Sequence, residues 1–342
     1  MHEVYMRRCL DLALLGAGQV SPNPMVGAVL VYEDRIIGEG WHQRWGGPHA
    51  EVNCVRSVKQ EDRHLIPLST LYCTLEPCFH FGKTPPCVDL ILGEKISRVV
   101  IANEDPNPKV AGQSVQKMRE AGIVVETGVL ASEAALLNRT FFHSISHKQP
   151  YVVLKWAQSA DGFLGRTGER TAISGPWTQR LVHRWRSELD AILAGTQTVL
   201  TDNPKLDARL HGGRNPLRIT FDIEKKIPAE YNILDDSTPT WIFGPTRDVA
   251  FRQTEFIPCD RPVALEKLLN RLYENNRATI LVEGGAQVLA AFLESGLWNE
   301  IRIIESSASL GGGVQAPQLP EGLTILEKYQ VGADSIRIFL KK

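Results

Sequence analysis

Apolar residues recur at helical spacing near the start of the chain, at Leu10, Ala13, Leu14 and Ala17, and the Gly16 to Gly18 region closes the stretch. This predicts an opening amphipathic helix. Ser21-Pro22-Asn23-Pro24 is a turn of breakers, and Val26 to Tyr32 is a short apolar run with β-branched residues. Glu33-Asp34 then turns the chain into Arg35 to Gly40, which predicts a hairpin. A helix from about Ala50 to Val58, strands at Thr70 to Leu75 and Arg98 to Ile101, a helix at Ser114 to Ala121 and a strand at Ile123 to Glu126 follow. The alternation is that of one compact α/β domain ending near His143.

Ser146-His147-Lys148-Gln149-Pro150 is polar and ends in proline, so a linker is expected there. The pattern then resumes. A strand opens at Tyr151 to Trp156, a helix covers Thr178 to Glu188, and strands are expected at Ala191 to Ala194, Leu217 to Phe221, Thr240 to Phe243 and Thr279 to Val282. A helix at Ala286 to Ser295 and strands at Glu300 to Ile304 and Ser335 to Leu340 close a second α/β domain, which is not a repeat of the first. The expected domains are residues 1–146 and 150–342.

Length agrees with this division, because 342 residues exceed the usual span of one hydrophobic core. A formal net charge of −1 gives no global basic field, which argues against a partner such as long nucleic acid and leaves a small anionic molecule open. Met1 to Leu15 carries Glu3, Arg7, Arg8 and Asp11 among its apolar residues, unlike a signal peptide, and no run reaches membrane-spanning length. Six cysteines in such a chain do not make a disulfide framework, so a reducing, cytoplasmic setting is expected.

Cysteine here should therefore mean metal or core. His49-Ala50-Glu51, then Pro77-Cys78, then Cys87 supply one imidazole and two thiolates, a soft set suited to Zn2+ with a fourth position left open for catalysis. Glu51 is the candidate proton carrier for a water activated there. The ordered combination is that of zinc deaminases, H-x-E followed by P-C-x-x-C. Residues two apart do not share a face in mid-helix, so His49 and Glu51 should sit where Gly46-Gly47-Pro48 enters the helix. Cys73, on the strand before Pro77, is assigned to the core, and Cys9, Cys54 and Cys259 have no partner motif. Eight residues, Phe79 to Pro86, separate the two cysteines where the short motif has two. His80, Lys83 and Thr84, on a loop stiffened by Pro85 and Pro86, would make a polar lid for a phosphorylated heterocycle.

In the second half, Thr279 to Ala286 reads as a strand running through Gly284-Gly285 into a helix. Such a turn can cradle phosphate with backbone N–H groups, although a glycine pair at a strand end is more often only a turn.

Ser21-Pro22-Asn23-Pro24-Met25-Val26-Gly27, Gly38-Glu39-Gly40-Trp41-His42, Pro48 to Val52, Leu75 to Cys87 and Asp105 to Gly112 together resemble the bifunctional deaminase/reductase family of riboflavin biosynthesis. The resemblance continues in Lys155, Ser159-Ala160-Asp161-Gly162, Thr198 to Pro204 and Glu283-Gly284-Gly285, and so covers nearly the whole chain. It implies a cytidine-deaminase-like three-layer α/β/α domain that removes an amino group from a diaminopyrimidinone ribosylamine phosphate. A dihydrofolate-reductase-like α/β domain follows, using NADPH to reduce the ribosyl chain to ribityl in a cytoplasmic homo-oligomer.

Carried over by position, the resemblance implies that Asn23, His42, His80 and Lys83 hold the pyrimidine or its phosphate. Read alone, Asn23 is equally a turn residue between prolines. It also implies that Arg186, Leu206 and Arg209 meet the sugar phosphate. Ala157, Thr198, Asp202 and Gly285, Ala286, Gln287, Val288 and Leu289 would touch the cofactor. Lys155 and Glu283, at the ends of two strands, are the candidates for positioning and protonating the reacting atoms. Departures from the family pattern fall at Phe79, Phe81, Arg170, Ala172 and Glu305 to Gly311.

Overall fold

The computed structural model describes every residue except 1, 80, 82–84, 108–110, 248–250 and 260–264. The chain divides into two compact units, residues 1–148 and 149–342.

The first unit runs α1 (His2–Leu14), β1 (Gly27–Tyr32), β2 (Arg35–Trp41), α2 (Ala50–Ser57), β3 (Thr70–Leu75), α3 (Cys87–Gly93), β4 (Arg98–Asn103), α4 (Gln113–Glu120), β5 (Val124–Thr127), α5 (Ala131–Leu137) and α6 (Arg139–His147). Its sheet has the order β2-β1-β3-β4-β5, with β1 antiparallel to β2 and β3, and β3, β4 and β5 parallel. Because strand side chains alternate between faces, Ala28, Leu30, Cys73 and Ile101 pack under α2, α3, α4 and α6, while Val29, Val31, Tyr72 and Val100 pack under α1 and α5. This is the expected three-layer α/β/α arrangement.

Two glycines set how closely the helices approach. A Cβ on Gly27 would lie 2.0 Å from the Cys9 carbonyl oxygen of α1, and one on Gly40 would lie 2.2 Å from the Cys54 nitrogen of α2. Glycine at position 40 thus lets α2, the helix that carries the candidate site, press its backbone onto β2.

The expected apolar stripe of α1 requires correction. Tyr5, Met6, Cys9, Leu10, Leu12 and Ala13 are its buried residues, whereas Leu14 is 51% exposed and Ala17 lies in the turn beyond the helix. Helices α3, α5 and α6 were not expected. The last of them runs to His147 and takes in the first residues of the polar stretch read as a linker.

The second unit contains a nine-stranded sheet of order β11-β10-β9-β8-β12-β6-β13-β16-β15. Its strands are β6 (Tyr151–Gln158), β8 (Ala191–Ala194), β9 (Leu217–Phe221), β10 (Thr240–Phe243), β11 (Thr254–Ile257), β12 (Thr279–Val282), β13 (Glu300–Glu305), β15 (Thr324–Val331) and β16 (Asp334–Leu340). All pairs from β11 to β13 are parallel, and β16 joins β13 and β15 antiparallel. A small ribbon pairs β7 (Phe163–Gly165) with β14 (Val314–Gln315). Helices α9 (Leu265–Glu274) and α10 (Ala286–Ser295) cover one core, α8 (Thr196–Asp202) a second, and α7 (Pro176–Glu188) a third. The expected strands at 191–194, 217–221, 240–243 and 279–282 coincide with those observed; α8, α9, β11 and β15 were not expected.

Candidate active sites

In the first unit the site forms where helices begin at the carboxyl ends of parallel strands. His49 is the N-cap of α2 in extended backbone, so its ring departs from the helix axis while Glu51 lies in the first turn, as the two-residue spacing requires. The approach is fixed by Asn53, whose side chain donates to the Trp41 and Pro48 carbonyls at 2.8 and 3.4 Å. Cys78 follows the end of β3, and Cys87 opens α3 behind Pro86. The Cys87 N–H donates to the Cys78 sulfur at 3.2 Å, and Val88 N–H to the Cys78 carbonyl at 3.3 Å.

His49 Nδ1 lies 3.4 Å from Cys78 Sγ and 3.3 Å from Cys87 Sγ, and the three ligand atoms fall within 4.8 Å of one another. Zinc bonds of ordinary length at a tetrahedral angle would place N and S about 3.5 Å apart. The donor set and spacing therefore fit zinc with one open position. A hydrogen bond to Cys87 is the largest influence drawing the Cys78 thiol down to about 4, and His49 adds to it. The same hydrogen bond, with burial, pushes the Cys87 thiol the other way. Glu51 is 3% exposed and hydrogen-bonds Cys87; burial raises its proton affinity.

Asn23 and His42 join this group. His42 Nδ1 donates to the Pro48 carbonyl at 3.0 Å, which leaves Nε2 to accept from Asn23 Nδ2 at 3.2 Å. The His42 and His49 rings meet edge to face at 5.4 Å, and burial lowers the His42 pKa. Asn138 is a partner that sequence reasoning missed. It accepts from Met25 N–H and donates to Met25 C=O, both at 2.8 Å, and so clamps the loop that carries Asn23. No local signal could have found it, because it acts across 113 positions. His80 and Lys83 lie outside the described residues. Phe79 packs on the core with the Lys117 ammonium 5.4 Å from its ring centroid, and Phe81 is 77% exposed.

The second unit builds its candidate site from charge. Glu283 follows β12 and receives Arg186 of α7 as a fork, Nε to Oε1 at 2.7 Å and Nη2 to Oε2 at 2.8 Å. Lys155 of β6 approaches the same carboxylate at 3.4 Å. All three side chains are at most 13% exposed. Burial raises the Glu283 pKa, but Arg186 and Lys155 outweigh it and hold the group down to about 2. Burial also lowers the Lys155 pKa, with Glu283 opposing and Arg186 adding, so its ammonium is a readier proton donor than an exposed lysine.

Beside this triad, Gly284 and Gly285 take φ values of 105° and 64°, a region that favours glycine. The Gly284 carbonyl accepts from Gly195 N–H at 3.0 Å, and a Cβ on Gly285 would meet Thr198 Oγ1 at 3.2 Å. The starts of α8 and α10 are thereby brought together, and neither has a side-chain cap. This gathers Thr198, Gly285, Ala286 and Gln287. It does not present every expected side chain, because Leu289 and Leu206 are buried in core and Val288 packs against it. Asp202 ends α8, Ala157 packs under α7, and the half-exposed Arg209 pairs with Asp207. The buried His183, one turn before Arg186, was not foreseen; its Nδ1 accepts from Leu210 N–H at 3.4 Å.

A three-layer unit with a His-Cys-Cys cluster, followed by a mixed-sheet unit with a buried Lys-Glu-Arg triad, defines a two-domain enzyme of the zinc-deaminase and reductase classes. Comparison with known proteins agrees. Residues 1–103 match the cytidine and deoxycytidylate deaminase zinc-binding region, and residues 150–337 match the RibD C-terminal domain. The riboflavin biosynthesis protein RibD of Bacillus amyloliquefaciens is 38% identical over 94% of this chain and 88% of its own length. A solved Thermotoga maritima diaminohydroxyphosphoribosylaminopyrimidine deaminase/5-amino-6-(5-phosphoribosylamino)uracil reductase superposes with a TM-score of 0.91 at 33% identity, covering 100% of this chain and 99% of that one. Acinetobacter baumannii RibD gives 0.89 at 33% identity, with coverage of 100% and 99%. The chain belongs to the RibD family of riboflavin biosynthesis, with a deaminase domain followed by a reductase domain.

Proposed function

We propose that the chain removes the amino group of a diaminopyrimidinone ribosylamine phosphate at the first site and then reduces the ribosyl chain to ribityl with NADPH at the second. The observation that carries this is the His49, Cys78 and Cys87 cluster with the buried carboxyl of Glu51 against it. When bound there, zinc would supply a Lewis acid that makes water nucleophilic near neutrality. Glu51, itself buried, accepts the proton released and delivers it to the departing amine. His42 and Asn23, held by Pro48 and Asn138, orient the ring beside His49. His80 and Lys83 are assigned to the same substrate.

In the second domain NADPH, when bound, would supply the hydride, and Lys155 is placed to donate a proton to the substrate. Glu283 holds Lys155 and Arg186 in place. Arg186 and Arg209, with the backbone at Leu206, are assigned to the sugar phosphate. Ala157, Thr198, Asp202 and Gly285 to Leu289 are assigned to NADPH, the last of these through backbone where the side chain is buried. Incubating the purified protein with the pyrimidine phosphate, with and without NADPH, should show a gain of about one dalton on deamination and about two more on reduction. A product that keeps its amine would overturn the deaminase reading. NADPH left unoxidised in the presence of deaminated product would overturn the reductase reading. The same reading expects a homo-oligomer in the cytoplasm, which light scattering and fractionation would check.

A further inference from the structure

A buried acid two residues before Cys78 is unused by either reaction. Glu76 is 3% exposed and has no cation against it among the described residues. Its Oε2 accepts from Asp105 N–H at 3.2 Å and Gly112 N–H at 3.0 Å, and its Oε1 from Ser114 N–H at 3.1 Å and Val115 N–H at 3.3 Å. A carboxylate has about four lone-pair sites, so these four donors fill it. Three of them belong to the start of α4, whose N-cap Gly112 offers no side chain to cap it. The carboxylate thus replaces the missing cap and meets the positive end of the helix.

The same segment is fixed by its main chain. Glu76 N–H donates to the Asn103 carbonyl at 2.9 Å, and Ser114 Oγ donates to the Pro77 carbonyl at 2.5 Å. Cys78 therefore leaves a stretch tied to β4 and α4 on one side, while its own carbonyl and sulfur are held by α3 on the other.

We propose that Glu76 is a positioning residue for the metal: with Ser114 it fixes the direction in which Cys78 presents its thiolate, and so sets zinc affinity. The proposal rests on the metal-site reading given above. Outer groups that orient a ligand typically contribute 10- to 100-fold in metal affinity.

Zinc binding by the full-length protein, measured by competition with a chromophoric chelator, tests this. In Glu76→Gln one oxygen can still accept two N–H groups, but the amide nitrogen faces the other two as a donor against donors. Affinity should fall by roughly 10- to 100-fold. Met118→Ala empties a fully buried place on α4 without touching the Glu76 contacts, and should lower the melting temperature while leaving zinc affinity unchanged. Ser114→Ala, which removes only the tie to Pro77, should weaken zinc by several-fold, about one hydrogen bond's worth. It decides the matter alone if Glu76→Gln does not fold. Wild-type affinity in a folded Glu76→Gln, or in Ser114→Ala where it stands alone, overturns the proposal. So does an equal loss in Met118→Ala, which would make the effect one of general stability. Failure of the wild type to bind zinc removes the metal-site reading itself, and this proposal with it.

Discussion

Glu51 and Glu283 are the same residue type, each nearly sealed from water, and their neighbours give them opposite characters. Glu51 sits among an imidazole and two sulfurs, and burial raises its proton affinity. Glu283 lies between Arg186 and Lys155, which overcome burial and hold it down to about 2. Burial penalises the charged form in both places; at Glu51 it outweighs the pull of His49, whereas at Glu283 Arg186 and Lys155 outweigh burial. One carboxyl is therefore suited to carrying a proton and the other to serving as a fixed charge.

The largest expected effect separates the two by activity. Glu51→Gln should lower deamination by roughly 10²- to 10⁴-fold, the usual contribution of a general acid–base group, with NADPH oxidation on deaminated substrate unchanged. Lys155→Ala should do the reverse and abolish NADPH oxidation while ammonia release persists. Parallel assays on one preparation check both, and a shared loss in either variant would break the assignment of Glu51 and Lys155 to separate reactions.

Stability should separate them next. Glu283→Gln leaves two buried cations without their anion, and breaking such a pair typically costs about 3–5 kcal/mol. Glu51→Gln leaves no buried arginine or lysine without its anion and, in metal-free protein, should change stability by about 1 kcal/mol or less. Denaturant melts of the two variants read the difference. Equal losses would mean that Glu51 also has a charge partner in the fold.

These contrasts were partly legible in the chain. The ligands and Glu51 could be read because their chemistry resides in residue identity and order, and short β-branched runs such as Thr279–Val282 marked their own strands. Helix α3 could not be read, since seven residues behind two prolines carry too little periodicity. Strand β15 could not either, because most of its side chains meet solvent and no alternation marks it. Helix α9 is different. Leu265, Leu268, Leu269 and Leu272 form a stripe that was present in the sequence and passed over. What no sequence pattern carries is the pairing of distant residues. Arg186 was expected to meet phosphate, and its guanidinium fork lies on Glu283, 97 positions away. Asn138 on Met25 is of the same kind.

A smaller effect tests Arg209. Its ion pair with Asp207 is half-exposed, and such pairs contribute about 0–1 kcal/mol, so Arg209→Ala should leave the melting temperature nearly unchanged. If the guanidinium meets the sugar phosphate, KM for the reductase step should rise about tenfold with kcat little altered, as for loss of a charge-assisted contact. An unchanged KM would restrict the charged part of the second site to the buried triad.

The smallest effect concerns pH and the histidine beside that triad. Burial, with Arg186 and Arg209 adding and Asp207 and Glu283 opposing, lowers the His183 pKa to about 4. An unfolded histidine titrates near 6.5. As pH falls below about 6.5 the unfolded chain takes up a proton that the folded chain refuses. The contribution of this group is therefore full above that value and is lost progressively down to about 4. Protonation would also remove the Nδ1 lone pair that accepts from Leu210 N–H. His183→Gln keeps an acceptor and cannot charge, so its melting temperature should fall less than that of the wild type between those two pH values, while matching the wild type at pH 7.5. Parallel slopes for the two proteins would show that the imidazole is charged in the folded state. The second site would then hold more positive charge than its triad alone supplies, and Glu283 would be held more firmly still as a fixed charge.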